Sequence, residues 1–141
     1  MADDNGLDPH DLTGRTALIT GASRGIGRAI AEELASHGCA VALAARSADT
    51  VQQAADAIEQ SGGRAVAIAA DVTEDGAAER LVTETVSTLG GLDILINNAA
   101  GNFFCPTAEL SANGWRAVID IDLNGTFYCC RHAYPYLKAA P

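Results

Sequence analysis

Short apolar runs alternate with stretches of helical periodicity over most of this chain, and that alternation constrains its fold more than any other feature. The apolar runs cover residues 16–20, 40–45, 64–70 and 92–97. They are apolar along their whole length, as in strands that are buried on both faces of a parallel sheet. A helical pattern of crossover length follows each of the first three. Together these patterns predict βαβ units and an α/β fold.

The first helical patterns cover residues 26–37, 47–60 and 73–89. Gly38 follows the first pattern and is expected to end that helix, since glycine is the usual residue after a helix C-terminus. Thr73 is expected to cap the third helix, because a threonine side chain can accept a hydrogen bond from the first-turn N–H groups.

The last part of the chain is predicted to form a loop and one long helix. Residues 98–110 have no periodicity, and Ser111 is a suitable cap for a helix that extends toward Lys138. Pro135 should bend or end this helix, because proline lacks the N–H that a helix interior needs. The face expected to pack on the domain consists of Trp115, Val118, Ile119, Asp122 and Thr126.

The chain is acidic, with 18 Asp and Glu against 9 Lys and Arg and a formal net charge of -9. This balance argues against nucleic acid and anionic membrane as partners, since both require basic surfaces. No apolar run approaches the ~20 residues of a membrane span. The four cysteines have no CxxC spacing, which favours a reduced, cytoplasmic protein and indicates no metal site. Residues 1–13 are predicted to be a flexible acidic lead, and residues 14–141 the folded domain.

The first apolar run leads directly into a glycine-rich loop, Thr20-Gly-Ala-Ser-Arg-Gly-Ile-Gly27, whose spacing is GxxxGxG. Glycines let the backbone turn sharply and approach a pyrophosphate, which then lies on the N–H groups of a helix N-terminus. Glycine-rich loops also form plain turns, but a strand before and a helix after the loop favour cofactor binding. The candidate cofactor-binding residues are Thr20, Gly21, Ser23, Arg24, Gly25, Ile26 and Gly27.

This loop resembles the cofactor loop of the short-chain dehydrogenase/reductase family. Three further motifs occur in that family's order: Asp71-Val72, the segment Asn97-Asn-Ala-Ala-Gly101, and Asn124 within Asp122-Leu-Asn-Gly125. The four motifs cover the chain from residue 14 to its end. The resemblance implies a Rossmann-type doubly wound parallel sheet with strand order 3-2-1-4. It also implies that this chain stops before the family's C-terminal strands and helices.

The resemblance also implies roles for the residues of these motifs. Asp71, with Val72, would contact the adenine of the cofactor, although Asp71 is also a typical turn residue. Asn124 would be the one catalytic residue present, holding a water in a proton relay. A mid-helix asparagine followed by Gly125 is locally unfavourable, as residues kept for function often are. The cofactor would also be lined by Asn98, Ala99, Ala100 and Gly101, with a structural role for Asn98 left open.

The end of the second apolar run indicates which nicotinamide cofactor is favoured. An NAD site places a carboxylate there to hold the ribose diol, whereas this chain has Ala45-Arg46-Ser47. Arg46 and Arg24 would form charge-assisted hydrogen bonds with a 2′-phosphate. The sequence therefore predicts NADP(H). The alternative is that Arg46 is an ordinary solvated loop residue.

Residues 97–103, 106–111 and 120–126 resemble the 2,4-dienoyl-CoA reductase branch of the family, which implies a small-molecule substrate such as an acyl-CoA. Phe103 and Phe104 would flank an acyl chain or, alternatively, fill the loop as core residues. The 3-oxoacyl thioester, sugar and polyol substrates stay open. A complete relative is expected to form a homo-oligomer.

The family's chemistry needs a serine and a YxxxK pair, and here only Tyr134 and Lys138 match YxxxK formally. Tyr134 is ten residues from Asn124 along one helix, about 15 Å, and therefore cannot share its reacting centre. Pro135 disrupts the turn between the pair, and no serine-bearing strand precedes it. The chain is therefore interpreted as the cofactor half of an NADP(H)-dependent oxidoreductase that transfers hydride to a carbonyl or an enoyl or dienoyl thioester. The alternative is a catalytically inactive NADP-binding fragment or module.

Overall fold

Strands and helices alternate along the chain in the computed structural model, which describes residues 9–74 and 76–141. The strands are β1 (Thr16–Thr20), β2 (Ala40–Ala45), β3 (Arg64–Ala69) and β4 (Ile94–Ile96). The crossover helices are α1 (Gly25–Ser36), α2 (Ala48–Gln60) and α3 (Ala77–Leu89). A short 3-10 turn (Thr107–Glu109) precedes α4 (Ala112–Val118), a π-helical segment (Ile119–Asn124) and α5 (Gly125–Ala139).

The four strands form one parallel sheet in the order β3-β2-β1-β4. This confirms the expected Rossmann-type α/β architecture and the strand order 3-2-1-4. All five residues of β1 are buried because this strand has neighbours on both sides and helices on both faces. Successive side chains of a strand point to opposite faces, so β1 contributes to two cores.

Leu18 of β1 belongs to the core beneath α3 and α5, together with Leu81, Cys129 and Ala133. Ile19 belongs to the opposite core, formed with α1 and α2, which contains several small residues. The carboxyl ends of the parallel strands therefore meet at one edge, between two layers of helices, which is where ligands bind in sheets of this kind.

Helix α3 begins later than predicted. Its N-cap is Gly76, in a left-handed conformation, and Ala77 is its first residue. The prediction that Thr73 caps this helix is wrong, because the Thr73 hydroxyl donates to the carboxylate of Asp71 instead. Thr73 thus belongs to the turn after β3.

The predicted long helix forms from Ser111, whose side chain accepts a hydrogen bond from the Gly114 N–H. It is interrupted by the π-helical segment, and it continues past Pro135 to Ala139, so proline does not end it. The predicted packing face is wrong at two of its five positions, since Trp115 is 58% exposed and Asp122 is exposed, whereas Val118, Ile119 and Thr126 are half-buried. A π turn contains an extra residue per hydrogen-bonded ring. The residues that follow it are therefore rotated about the helix axis relative to their positions in a regular α-helix, and different residues are buried. The buried residues of α5 are Gly125, Cys129 and Ala133.

The first part of the predicted lead, residues 1–8, lies outside the described residues. The described remainder contacts the C-terminal end of α1: the Leu12 N–H donates to the His37 carbonyl oxygen at 2.8 Å, and Leu12 packs on the core. Gly38 ends α1 as expected, with φ of +90°. A Cβ at Gly38 would lie 2.6 Å from the Thr13 hydroxyl oxygen.

None of the helices in the described ranges is long and apolar enough to cross a membrane.

Candidate functional site

A groove of about 880 Å³ lies at the carboxyl ends of the strands. Twelve of the fourteen residues predicted to bind the cofactor line it: Gly21, Ser23, Arg24, Gly25, Ile26, Arg46, Asp71, Val72, Asn98, Ala99, Ala100 and Gly101. Thr20 and Gly27 do not line the groove. Both are buried behind its wall, where they shape the glycine-rich loop.

The glycine-rich loop turns sharply between β1 and α1. Gly21 and Gly25 have φ of +65° and +57°, in the left-handed region that side chains disfavour. At Gly27 the constraint is space, because a Cβ there would lie 2.5 Å from the Gly21 carbonyl oxygen and 2.5 Å from the Asn98 amide nitrogen. Glycine is therefore needed at these positions for two different reasons, a left-handed backbone at Gly21 and Gly25 and lack of space at Gly27. The GxxxGxG spacing alone does not separate them.

Asn98 connects the end of β4 to this loop. Its side-chain amide donates to the carbonyl oxygens of Thr20 and Gly21, each at 3.1 Å. The Thr20 hydroxyl in turn accepts from the backbone N–H groups of Asn98 (3.1 Å) and Ala99 (3.0 Å). Asn98 thus has the structural role that the sequence left open, and it also borders the groove.

The N-terminus of α1 opens into the groove. The first N–H groups of a helix have no acceptor within the helix, and the Arg24 side chain does not cap them. They carry the partial positive charge of the helix dipole. Arg24 and Arg46 are both exposed, and both line the same groove. This arrangement provides N–H donors and two guanidinium groups for a phosphorylated ligand.

Asp71 lies opposite the glycine-rich loop at the end of β3. One carboxylate oxygen, Oδ1, accepts hydrogen bonds from the Thr73 N–H (3.0 Å) and the Thr73 hydroxyl (2.8 Å). The Thr73 N–H is the main reason that the pKa of Asp71 lies below its usual value, and the Thr73 hydroxyl and the charge of Arg46 act in the same direction. Partial burial acts against them. Asp71 is therefore held as a charged acceptor.

The predicted catalytic residue, Asn124, ends the π-helical segment and does not line the groove. Its side-chain amide donates to Asp120 Oδ1 at 2.9 Å. Its role in a proton relay stays a prediction. Gly125, by contrast, has a packing reason: a Cβ there would lie 2.9 Å from Val72 Cγ2. The glycine lets α5 approach the end of β3.

Another residue of this segment, Asp122, reaches the groove's wall. Its Oδ1 accepts the Gly101 N–H at 2.8 Å, and its neighbour Ile121 lines the groove. This contact was not predicted, because the helical pattern placed Asp122 on a packing face. The groove residues that were not predicted from the sequence are Ala44, Ala45, Ser47, Thr50, Ala70 and Ile121. Ala44, Ala45, Ser47 and Ala70 could have been predicted, because each lies at or near the end of a strand.

Tyr134 and Lys138 lie on the exposed side of α5, and neither lines the groove. The Lys138 ammonium group is 5.9 Å from the centre of the Tyr134 ring. Within the described part of the chain, no cluster of His, Cys, Asp and Glu has the geometry of a metal site.

Comparison with known proteins agrees with this geometry. A family model described as short chain dehydrogenase matches residues 15–141. The chain is 42% identical over 119 residues to a probable 2,4-dienoyl-CoA reductase of Bacillus subtilis (strain 168), a match that covers 84% of this chain and 47% of the relative. It is 40% identical to a peroxisomal 2,4-dienoyl-CoA reductase of Arabidopsis thaliana, over 96% of this chain and 45% of the relative.

A hydroxynaphthalene reductase-like protein Arp2 of Metarhizium robertsii is 39% identical, over 92% of this chain and 49% of the relative. Among solved structures, a metagenomic short-chain oxidoreductase in complex with NADP has a TM-score of 0.86 and 34% identity. That match covers 92% of this chain and 59% of the other. The chain spans about half the length of the curated relatives that it matches.

Proposed function

Since the chain belongs to the short-chain dehydrogenase family, we propose that residues 14–141 form the NADP(H)-binding domain of an oxidoreductase. The observation that carries the proposal is the single groove that unites the glycine-rich loop, the N-terminus of α1, Arg46 and Asp71. The whole protein would transfer hydride between the cofactor and a carbonyl or an enoyl or dienoyl thioester.

The groove suits a dinucleotide in shape and in chemistry. Its glycines let a diphosphate approach the backbone, and the free N–H groups of α1 donate to it. Asp71 offers a charged acceptor to the adenine. When bound, the reduced nicotinamide supplies the hydride, and the residues of this chain bind and orient the cofactor.

Two exposed guanidinium groups support the preference for NADP(H) over NAD(H). Arg46 follows β2, at the position where an NAD site places a carboxylate, and Arg24 lies in the glycine-rich loop. Both line the groove with no salt bridge to an acidic residue of the described chain. A 2′-phosphate dianion would form charge-assisted hydrogen bonds with both side chains. The neighbouring structure that contains NADP agrees with this preference.

The substrate proposal rests on the relatives and on the loop after β4. One relative, at 42% identity, is a probable 2,4-dienoyl-CoA reductase, and another, at 40% identity, is a peroxisomal 2,4-dienoyl-CoA reductase. Phe103 and Phe104 follow Gly101 of the groove wall by two and three residues, and their side chains are 52% and 100% exposed. We infer that these rings border the acyl part of a small thioester substrate. Binding of such a thioester would distinguish the whole protein from reductases of other carbonyl compounds. Asn124 is proposed to act in catalysis within the whole protein.

The remaining proposals concern the setting of the whole protein. A cytoplasmic location is supported by the four cysteines, which are free thiols in the structure. A homo-oligomer is proposed for the complete protein, with no nucleic acid or membrane partner, as the net charge of -9 favours.

The preference for NADP(H) is tested by fluorescence titration of the chain with NADPH and with NADH. We expect NADPH to bind saturably and more tightly, and Arg46→Asp to weaken NADPH binding by about tenfold or more, since it replaces attraction by repulsion. Arg80→Asp is the charge-matched control, because Arg80 is exposed on α3 outside the groove. Unchanged NADPH affinity in Arg46→Asp would refute the role of Arg46 in binding phosphate.

A further inference from the structure

The turn after β3 contains a threonine that no motif and no part of the proposed function uses. We propose that Thr73 is a positioning residue for adenine recognition, which holds one oxygen of the Asp71 carboxylate so that the other stays available to the adenine amino group. This inference rests on the proposed NADP(H) site. It assigns a specific role to a hydroxyl group that would otherwise only stabilise a turn.

The hydrogen bonds to Asp71 are asymmetric. Oδ1 accepts from both the N–H and the hydroxyl of Thr73, at 3.0 Å and 2.8 Å. Across residues 9–74 and 76–141, no protein group donates to the other oxygen, Oδ2. Asp71 itself lines the groove. An ionised carboxylate only accepts hydrogen bonds, and the exocyclic amine of adenine is a donor. Oδ2 is therefore the oxygen that can receive this amine.

The backbone around Asp71 is fixed independently of the Thr73 hydroxyl. The Asp71 carbonyl oxygen accepts the Glu74 N–H at 3.0 Å, and the preceding Ala70 N–H donates to the Ala45 carbonyl oxygen at 2.9 Å. Val72 is buried and lies against Gly125. The Thr73 N–H restrains the rotation of the Asp71 side chain through one hydrogen bond to Oδ1, and the Thr73 hydroxyl adds a second. The second bond restricts that rotation further, which lowers the entropy lost when a ligand binds.

Arg46 makes this restriction important. It lines the same groove, and its charge acts on Asp71. A mobile Asp71 carboxylate would be attracted to this guanidinium group, and such pairing would withdraw Asp71 from the adenine and Arg46 from the 2′-phosphate. By holding Oδ1, Thr73 keeps the two opposite charges available for separate parts of one ligand.

The test compares two ligands that differ only at the adenine amino group. The probes are NADPH and its reduced 6-deamino analogue, in which purine replaces adenine, so that a hydrogen stands in place of that amine and N1 remains an acceptor. Dissociation constants are measured by nicotinamide fluorescence for the parent chain, Thr73→Val, Thr73→Ser and Thr83→Val. Thr83→Val makes the same chemical change on the exposed face of α3, away from the groove.

We expect Thr73→Val to weaken NADPH binding by about fivefold to tenfold, in line with a hydrogen bond that involves a charged group. Thr73→Ser should restore NADPH affinity to within about twofold, and Thr83→Val should have no effect. The purine analogue should bind Thr73→Val at least as tightly as it binds the parent, because it has no amino group for Asp71 to recognise.

Equal weakening of both ligands by Thr73→Val would overturn the inference, since Thr73 would then only stabilise the turn. Unchanged NADPH affinity in Thr73→Val would also overturn it, and in both cases the proposed cofactor site would stand. Absence of saturable NADPH binding by the folded parent chain would instead overturn the cofactor site and this inference together.

Discussion

Asn98 and Thr20 hold each other in both directions across the carboxyl ends of β4 and β1. The Asn98 amide donates to the Thr20 carbonyl oxygen, and the Thr20 hydroxyl accepts the Asn98 backbone N–H, each at 3.1 Å. The same amide also reaches the Gly21 carbonyl oxygen. The wall of the groove therefore depends on a side chain that comes from the end of β4 rather than from the loop itself.

Asn98→Ala is expected to lower the free energy of unfolding by about 1–3 kcal/mol, because carbonyl groups within the loop lose their donor. Urea denaturation monitored by circular dichroism measures this. Asn97→Ala is the control, since the one hydrogen bond of the Asn97 side chain to the described residues goes to the Cys130 sulfur, at 3.3 Å. The account of the groove wall would be wrong if both variants had the same stability as the parent.

Gly27→Ala is expected to destabilise the chain although alanine favours helices. The added methyl group would meet the Gly21 carbonyl oxygen and the Asn98 amide nitrogen, each at 2.5 Å. Overpacking of this kind costs typically about 1–3 kcal/mol. Gly91→Ala is the matched control, because a Cβ there meets nothing within 4 Å and φ is not positive. The measurement is the midpoint of thermal unfolding of each variant, which should be lower for Gly27→Ala than for Gly91→Ala. Equal midpoints would contradict the close approach at Gly27.

Asp122→Ala is expected to loosen the segment that follows β4. Asp122 Oδ1 is the acceptor of the Gly101 N–H at 2.8 Å, so its removal should speed hydrogen exchange at Gly101. Asp122→Asn retains an acceptor oxygen and should restore protection largely. Hydrogen–deuterium exchange of peptides that contain Gly101 measures both variants. Protection that is identical in Asp122→Ala and the parent would show that this contact does not hold the loop.

The four thiols are expected to differ in reactivity. Cys39 and Cys129 are buried, whereas Cys105 and Cys130 are exposed. Iodoacetamide should therefore modify the exposed pair first and the buried pair only after unfolding. Mass spectrometry of peptides gives the rate for each cysteine. Modification of all four at one rate in the folded chain would contradict the packing of both cores.

Stability is expected to fall at alkaline pH because of the buried thiols. Burial is the main cause that raises the pKa of Cys39 and of Cys129 from 9.0 to about 11, with smaller contributions from the charge of Asp93 and from Cys130. The folded state thus binds these protons more tightly than the unfolded state. Their stabilisation is complete below pH 9.0 and is lost as the pH rises toward about 11.

Urea denaturation at about pH 8 and about pH 10 tests this linkage. Cys39→Ala and Cys129→Ala should each reduce the loss of stability between the two pH values, whatever their effect at the lower pH. Cys105→Ala, at an exposed position, should leave the loss unchanged. An equal loss in all three variants would assign the alkaline effect to other groups.

The sheet was predictable from the sequence because its signals are local and strong. Each strand is a continuous apolar run, and the glycine-rich loop follows β1 directly. Since parallel strands end at one edge, Arg46 and Asp71 were predictable neighbours of the loop. The order β3-β2-β1-β4 followed from the resemblance rather than from the apolar runs themselves.

The details that escaped prediction depend on contacts between distant segments. Thr73 has the side chain of a helix cap, but the adjacent Asp71 carboxylate competes for its hydroxyl. The π-helical segment has no sequence period of its own, and it alters the phase from which the face of α5 was predicted. Asp122 contacts Gly101, 21 positions earlier in the chain, which no local pattern reveals.

We propose that this chain alone forms a specific site for NADP(H) at the carboxyl ends of its strands. Isothermal titration calorimetry of the folded chain with NADPH, followed by competition with adenosine 2′,5′-bisphosphate, measures whether that site exists. We expect one saturable site per chain, from which the bisphosphate displaces NADPH because it contacts Asp71 and Arg46. No saturable heat from a chain whose circular dichroism shows the folded state would refute the proposed site.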